Sequence, residues 1–284
     1  YDVRYIFEAD INEKLIMSDE SISLAWITFD SVVDMIGYNP SILRMLEKTK
    51  TNATFFCLGW IAENYPDIVK EIVNMGYDIG THGRMHQLVF EQSPRDFKED
   101  IFYAVKTLED ITGKKVKYFR APGFSIRQDN KWAFEVLISL GLEIDCSIFP
   151  VKRAHGGFPS FGSPFPTVIR YNGLELKELP INFYSLGGIK IVFSGGGYFR
   201  ILPYSLIDKL TKESDYIMCY FHPRDFDPDQ PVIKDLPLYR KLKSYAGLRT
   251  AESKLTRWLT DYNFIDIGTA VSQIDWSTVA RFNL

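Results

Sequence analysis

With 284 residues, 46% hydrophobic and 24% charged, the chain has the composition of a globular protein holding one large core or two smaller ones, and disorder is excluded. A net charge of −3 and no basic run beyond a short Gly113-Lys114-Lys115-Val116-Lys117 turn leave no electrostatic footprint for nucleic acid. No stretch approaches the ~18 apolar residues of a membrane span.

Three cysteines (Cys57, Cys146, Cys219), each within an apolar run, read as buried free thiols rather than a disulfide framework. Unpaired thiols and no visible export signal point to the cytoplasm, although a chain opening on Tyr1 leaves room for a trimmed leader. The aromatic content suits a sugar-binding groove and a barrel core equally.

Ser23 to Asp30 is a short apolar run ending on a carboxylate and predicts a buried strand. Pro40 opens a helix with Ile42, Leu43 and Leu46 on one face, and Ala53–Leu58 follows as a strand. A helix from Pro66 carries Ile68, Val69, Ile72 and Val73, then Tyr77–Thr81 is a strand. Ser93-Pro94 starts a helix running to about Thr112. Val116–Arg120 is a strand, Trp132–Leu140 a helix and Leu142–Ile148 a strand.

From about Pro150 to Arg200 the rhythm breaks into short β pieces (Thr167–Arg170, Leu176–Leu179, Ile189–Phe193) among dense Pro and Gly. It resumes with a helix over Pro203–Glu213, a strand over Tyr216–Phe221, a helix over Ala251–Asp261 and a strand over Phe264–Ile267. Alternating strands and helices predict an α/β fold with a parallel sheet, in a single domain that carries a β-rich insertion at about 150–200.

In such folds the reacting groups stand at the C-terminal ends of strands. Taken in order, those ends carry Asp30, His82 and His86, Arg120, Asp145 and His222. Chance placement would scatter such groups over helix surfaces, so the pattern points to a metal-assisted acid/base site. The i, i+4 pair His82 and His86 would bring two imidazoles to one side if the segment makes a helical turn. The plainer reading is two histidines capping a loop. Arg120 has a structural alternative as a partner of Asp30, and Asp145 as a partner of a strand-end backbone group. His155 matches no motif and reads as a loop residue. Trp60, Phe124 and Phe165 are candidates for a sugar platform or for core packing.

Five motifs resemble the polysaccharide deacetylases, the family 4 carbohydrate esterases. These are Thr28-Phe29-Asp30, His82-x-x-x-His86, Arg120-Ala121-Pro122, Asp145-Cys146-Ser147-Ile148-Phe149-Pro150 and Phe221-His222-Pro223, spread over roughly residues 22–270. Leu58–Glu63, Gly195–Arg200 and His222–Pro231 further resemble a bacterial subgroup encoded with exopolysaccharide and exosortase systems.

The resemblance implies a distorted (β/α)7-type barrel that hydrolyses N-acetyl groups of an amino-sugar polysaccharide or its lipid-linked precursor with a divalent metal, usually zinc. It implies His82 and His86 as ligands, Asp30 as base, Arg120 holding that base ionised, His222 as acid and Asp145 orienting the histidine. Gly123 stands where relatives often place a tyrosine, so only its backbone N–H remains for an oxyanion.

One departure stands out: Ser31 replaces the family's second aspartate, the usual third metal ligand, and Asp34 is the nearest substitute. A hydroxyl brings no charge to a cation. A degenerate member that binds glycan without turnover is therefore an alternative, as is a metal-independent hydrolase of another C–N amide.

Overall fold

The computed structural model describes residues 41–153, 156–230, 232 and 237–284. The predicted strand over Ser23–Asp30, the candidate base Asp30, the candidate ligand Asp34, and His155 lie outside the described residues.

In chain order the elements are α1 (Ser41–Thr49), β1 (Thr54–Cys57), α2 (Gly59–Asn64), α3 (Pro66–Asn74), β2 (Asp78–Thr81), α4 (Pro94–Thr112), β3 (Tyr118–Phe119), α5 (Trp132–Ser139) and β4 (Ile144–Asp145). There follow β5 (Thr167–Tyr171), β6 (Leu174–Glu178), β7 (Tyr184–Leu186), β8 (Ile189–Ile191), α6 (Gly196–Ile201) and α7 (Tyr204–Lys212). The last are α8 (Leu238–Tyr245), α9 (Leu248–Asp261), α10 (Ile267–Gln273) and β9 (Ala280–Asn283). They fall into two compact units.

The larger unit (Asn52–Val192, Lys212–Cys219, Phe264–Leu284) is built on a sheet of order β1-β2-β3-β4-β6-β5-β9, in which only the β5–β6 pair is antiparallel. Helical crossovers join β1 through β4, as the alternating pattern requires. Local chemistry explains the longest of these helices. Ser93 Oγ accepts the Asp96 N–H at 3.2 Å, Pro94 takes the first turn, and Gly113 closes α4 at φ +65°. Phe97, Ile101, Ala104, Val105 and Leu108 form its buried face.

Several expected strands change. The segment after Pro150 is not a separate insertion throughout: β6 joins the main sheet parallel to β4, because Val168, Ile169 and Leu176 are apolar enough to bury there. Only the β7–β8 hairpin stands apart. Of the strand expected over Tyr216–Phe221, the described residues show a single parallel bridge, Gly195 to Tyr220. The strand expected over Phe264–Ile267 is instead the lead-in to α10, since Asp266 Oδ1 accepts the Thr269 N–H at 2.7 Å and starts a helix.

The smaller unit (Tyr1–Thr51, Phe193–Thr211, Tyr220–Asn263) is helical in its described residues. Its centre is the fully buried Trp258 of α9, which lies against Phe193 and Phe199 and donates from Nε1 to Thr211 Oγ1 at 2.9 Å. Helix α1 packs on α9 and on a one-turn helix at Pro223–Phe226.

Candidate active site

Register builds the larger unit's candidate site. Cys57, Thr81, Phe119, Asp145 and Glu178 are successive Cα partners across β1, β2, β3, β4 and β6. The next rung is completed by backbone alone. The N–H groups of His82, Arg120, Cys146 and Leu179 donate to the carbonyls of Cys57, Thr81, Phe119 and Asp145 at 2.9, 3.1, 2.8 and 2.9 Å. His82, Arg120 and Asp145 therefore stand within one rung of each other at the C-terminal edge, where the sequence pattern put them.

The two imidazoles of the HxxxH segment are 4.9 Å apart between ring centroids and inclined by 77°. A helical turn does not bring them together. Gly83 at φ +78° and His86 at φ +57° fold the segment into a left-handed loop. Four backbone bonds hold it. The first N–H groups of α2, on Gly59 and Trp60, cap the carbonyls of Gly83 and Arg84 at 2.9 and 3.1 Å. On the other side, Asp100 of α4 accepts the N–H groups of Arg84 and Met85 at 2.8 and 3.1 Å. Arg84 adds a two-pronged ion pair to Glu63 at 2.9 and 3.1 Å. Burial pushes the Asp100 carboxyl above its ordinary range, against those two N–H bonds and the Arg84 charge.

His82 Nδ1 lies 2.6 Å from the Arg120 carbonyl oxygen. A carbonyl only accepts, so Nδ1 carries the hydrogen and Nε2 keeps its lone pair. That is the tautomer a metal-binding imidazole needs, fixed by a carbonyl behind it. The pair thus fits two positions of a divalent-metal site. Among the described residues, no group of three or more His, Cys, Asp or Glu side chains could hold a metal ion. Asp30 and Asp34, the candidate base and further ligand, lie outside them.

The Arg120 guanidinium is half-buried, 4.4 Å from the Phe56 ring centroid, and donates from Nε to the Cys146 carbonyl at 3.2 Å. Asp145 is fully buried, and its Oδ1 accepts the Ser147 hydroxyl, whose Oγ in turn accepts the Ala121 N–H at 2.8 Å. Its register partner Glu178, to which the sequence assigns no role, is also fully buried and accepts the Ile148 N–H on Oε1 at 3.1 Å.

The remaining oxygens, Asp145 Oδ2 and Glu178 Oε2, have no hydrogen-bond partner among the described residues. Two buried carboxyls in register disfavour double ionisation, so one of them is held protonated. Burial, then the Asp145 charge, pushes Glu178 well above its ordinary range, so the proton belongs on Glu178. Burial also raises Asp145, and the Glu178, Ser147 and Arg120 groups work against that rise. Alternation flags Glu178: Leu174, Leu176 and Glu178 share one strand face, the face that buries Leu176.

Of the aromatic candidates, Phe124 is buried core, Trp60 is half-buried and Phe165 is exposed. Gly123 takes φ +61° in the turn after Arg120-Ala121-Pro122, a conformation suited to glycine.

In the smaller unit His222 precedes the Pro223–Phe226 turn with its side chain 53% exposed. The carboxylate beside it is Asp225. Asp225 Oδ2 accepts the His222 backbone N–H at 2.9 Å and lies 3.5 Å from His222 Nδ1. Asp225 Oδ1 is 3.0 Å from Nε of the buried Arg200. Burial works to raise the Asp225 carboxyl, and the His222 contact and Arg200 charge outweigh it and hold it below its ordinary range.

The family model described as polysaccharide deacetylase matches residues 18–143, and one described as a domain of unknown function (DUF3473) matches residues 146–272. The chain is 34% identical over 110 residues to the peptidoglycan-N-acetylglucosamine deacetylase of Bacillus cereus, covering 38% of this chain and 40% of that protein. It is 35% identical over 96 residues to chitin deacetylase 1 of Saccharomyces cerevisiae, covering 34% of this chain and 30% of the relative. The chain thus spans less than half the length of these relatives. The crystal structure of a Mycobacterium smegmatis protein, provisionally described as a polysaccharide deacetylase, superposes with a TM-score of 0.61 over 90% of this chain and 87% of that one, at 16% identity.

Residues 18–143 are thus similar to polysaccharide deacetylases, and the superposition shows the same α/β fold with a mostly parallel sheet. The sheet itself bridges the two matched regions: β1, β2 and β3 lie in the first, β5 and β6 in the second, and β4 (Ile144–Asp145) falls between them.

Proposed function

We propose that the protein is a metal-dependent hydrolase that removes N-acetyl groups from an amino-sugar polysaccharide or its lipid-linked precursor. One observation carries the reading. His82 and His86 converge in a region that matches the family, with His82 held by a carbonyl in the tautomer that leaves Nε2 for a metal. When bound, a divalent cation such as zinc lowers the pKa of a water and polarises the acyl oxygen.

The chain's own groups do the rest. His82 and His86 would hold the ion together with a carboxylate from the Asp30–Asp34 segment, for which Asp34 is the candidate. Asp30 takes the water's proton, Arg120 keeps that carboxylate ionised, and His222 returns a proton to the departing amine. The Gly123 N–H is the candidate backbone donor for the oxyanion. Asp145 belongs with Arg120 through a buried charge, with Glu178 as its protonated, neutral partner. The motifs shared with the exopolysaccharide subgroup favour an exopolysaccharide as substrate over a wall polymer.

The test is acetate release from N-acetylglucosamine oligomers by zinc-loaded protein, with His82→Ala and Asp30→Asn as controls. Stoichiometric zinc and turnover lost in both variants are expected. The degenerate glycan-binding reading draws on Ser31. Binding of the oligomers without acetate release under zinc, cobalt or manganese would replace the hydrolase by that reading.

A further inference from the structure

We propose that Asp225, clamped by Arg200, is the positioning carboxylate of His222, turning Nδ1 inward and presenting Nε2 for proton transfer. The inference rests on the reading of His222 as a proton donor. It departs from the family resemblance, which gives the orienting role to Asp145.

Every bond in the device is local. A backbone exchange closes the turn: the His222 N–H reaches Asp225 Oδ2, and the Asp225 N–H reaches the His222 carbonyl, both at 2.9 Å. That exchange sets the carboxylate beside the ring as an ion-pair contact 3.5 Å from Nδ1, with the Asp225 backbone N–H also facing the His222 side chain, so the carboxylate and the N–H compete for the tautomer. Asp225 is 5% exposed on its side chain while His222 is 53% exposed, so a buried anion meets a ring that solvent reaches. A carboxylate at Nδ1 selects the Nδ1–H tautomer and stabilises the imidazolium that delivers a proton from Nε2.

Arg200 makes Asp225 a fixed anion. Its side chain is 4% exposed, its Nε sits 3.0 Å from Asp225 Oδ1, and its Nη1 donates to the carbonyls of Ser244 and Ala246 at 3.0 and 3.1 Å. Those carbonyls pin the guanidinium from the far side. Gly247 is required by the same packing, since a Cβ there would lie 2.3 Å from the Arg200 carbonyl oxygen. A buried ion pair of this kind is a poor source of stability, because desolvation offsets its attraction. It does fix geometry, which is what a positioned imidazole needs.

The experiment is nitrogen NMR of the full chain labelled with 15N-histidine, the His222 signals being assigned by their loss in His222→Gln. Wild-type His222, neutral, is expected as the Nδ1–H tautomer. Asp225→Ala should convert it mainly to the Nε2–H form, and Arg200→Gln should give a mixture, while the His82 signals keep theirs. A wild-type His222 in the Nε2–H form overturns the proposal even if both variants fail to fold. So does a tautomer that responds to Asp145→Asn and not to Asp225→Ala.

Kinetically, Asp225→Ala is expected to lower kcat by roughly 10- to 100-fold with KM within about twofold, a part of what a general acid contributes. Loss of kcat and KM together, with the tautomer unchanged, would mark a merely structural turn. If wild-type protein releases no acetate, the proposed activity fails, and the tautomer still decides whether Asp225 positions His222.

Discussion

Replacing Glu178 by Gln should make the protein progressively more stable than wild type as pH rises. The native state holds one proton on the Asp145–Glu178 pair because burial and the Asp145 charge push Glu178 well above its ordinary range. The unfolded chain gives that proton up near pH 4.3. Above that point Glu178 keeps in the native state a proton that the unfolded chain has lost, so its share of ν_U − ν_N is −1 and its contribution to stability falls with rising pH, by about 1.4 kcal/mol per unit. The contribution is fully present below the unfolded pKa and is lost as pH approaches the raised native one.

Glutamine reproduces the protonated acid. Its carbonyl can accept the Ile148 N–H that Glu178 Oε1 takes at 3.1 Å, and its NH2 group can donate to Asp145 Oδ2. The stability difference between variant and wild type should therefore shift in the variant's favour as pH rises, by up to about 1.4 kcal/mol per unit. Urea unfolding at four pH values measures it, with unchanged m-values as the check on two-state behaviour. A difference that is flat with pH would refute the protonated Glu178.

Two further expectations follow from close contacts. Asp100→Ala removes both N–H bonds that hold Arg84 and Met85, at 2.8 and 3.1 Å, and should cost about 2–3 kcal/mol while weakening zinc affinity at least tenfold by calorimetric titration. Gly195→Ala should cost about 3 kcal/mol or more in thermal unfolding, because the added Cβ would lie 2.1 Å from the Tyr220 carbonyl oxygen in a contact between two backbones that cannot part cheaply.

What could be read from residues alone was whatever depends on neighbours in the chain. Helix α4 is marked at both ends by Ser93-Pro94 and Gly113, and its apolar positions recur at helical spacing. The strand ends at Thr81 and Arg120 were legible because an apolar run stops there on a polar group, whereas the strand expected over Leu142–Ile148 ends early, at Asp145. Convergence of His82 and His86 was expected by the wrong route, since spacing alone suggests a helical turn, and the left-handed conformation of His86 has no simple sequence signal.

Asp100 and Asp225 were missed for a different reason. An acid on a helix or in a polar loop looks like a solvated residue until a backbone N–H or a buried arginine is placed against it. Glu178 was more accessible, since a charged residue on the apolar face of an alternating strand calls for a partner, but which partner depends on β6 joining β4. That pairing brings residues 33 positions apart into register, and nothing local encodes it.

The Arg120 backbone and side chain do separate work, which yields a sharp expectation. Its N–H donates to the Thr81 carbonyl at 3.1 Å, and its carbonyl accepts His82 Nδ1–H at 2.6 Å, so the backbone alone sets the imidazole's tautomer. The guanidinium donates to the Cys146 carbonyl and lies over Phe56. Arg120→Gln keeps the first set and loses the charge of the second. Zinc affinity should stay within about threefold of wild type, since the orienting carbonyl survives, while turnover falls by about 100-fold or more through the loss of the charge that the proposed function assigns to keeping the base ionised. Zinc affinity and turnover falling together would mean that the side chain, not the carbonyl, holds the His82 loop in place.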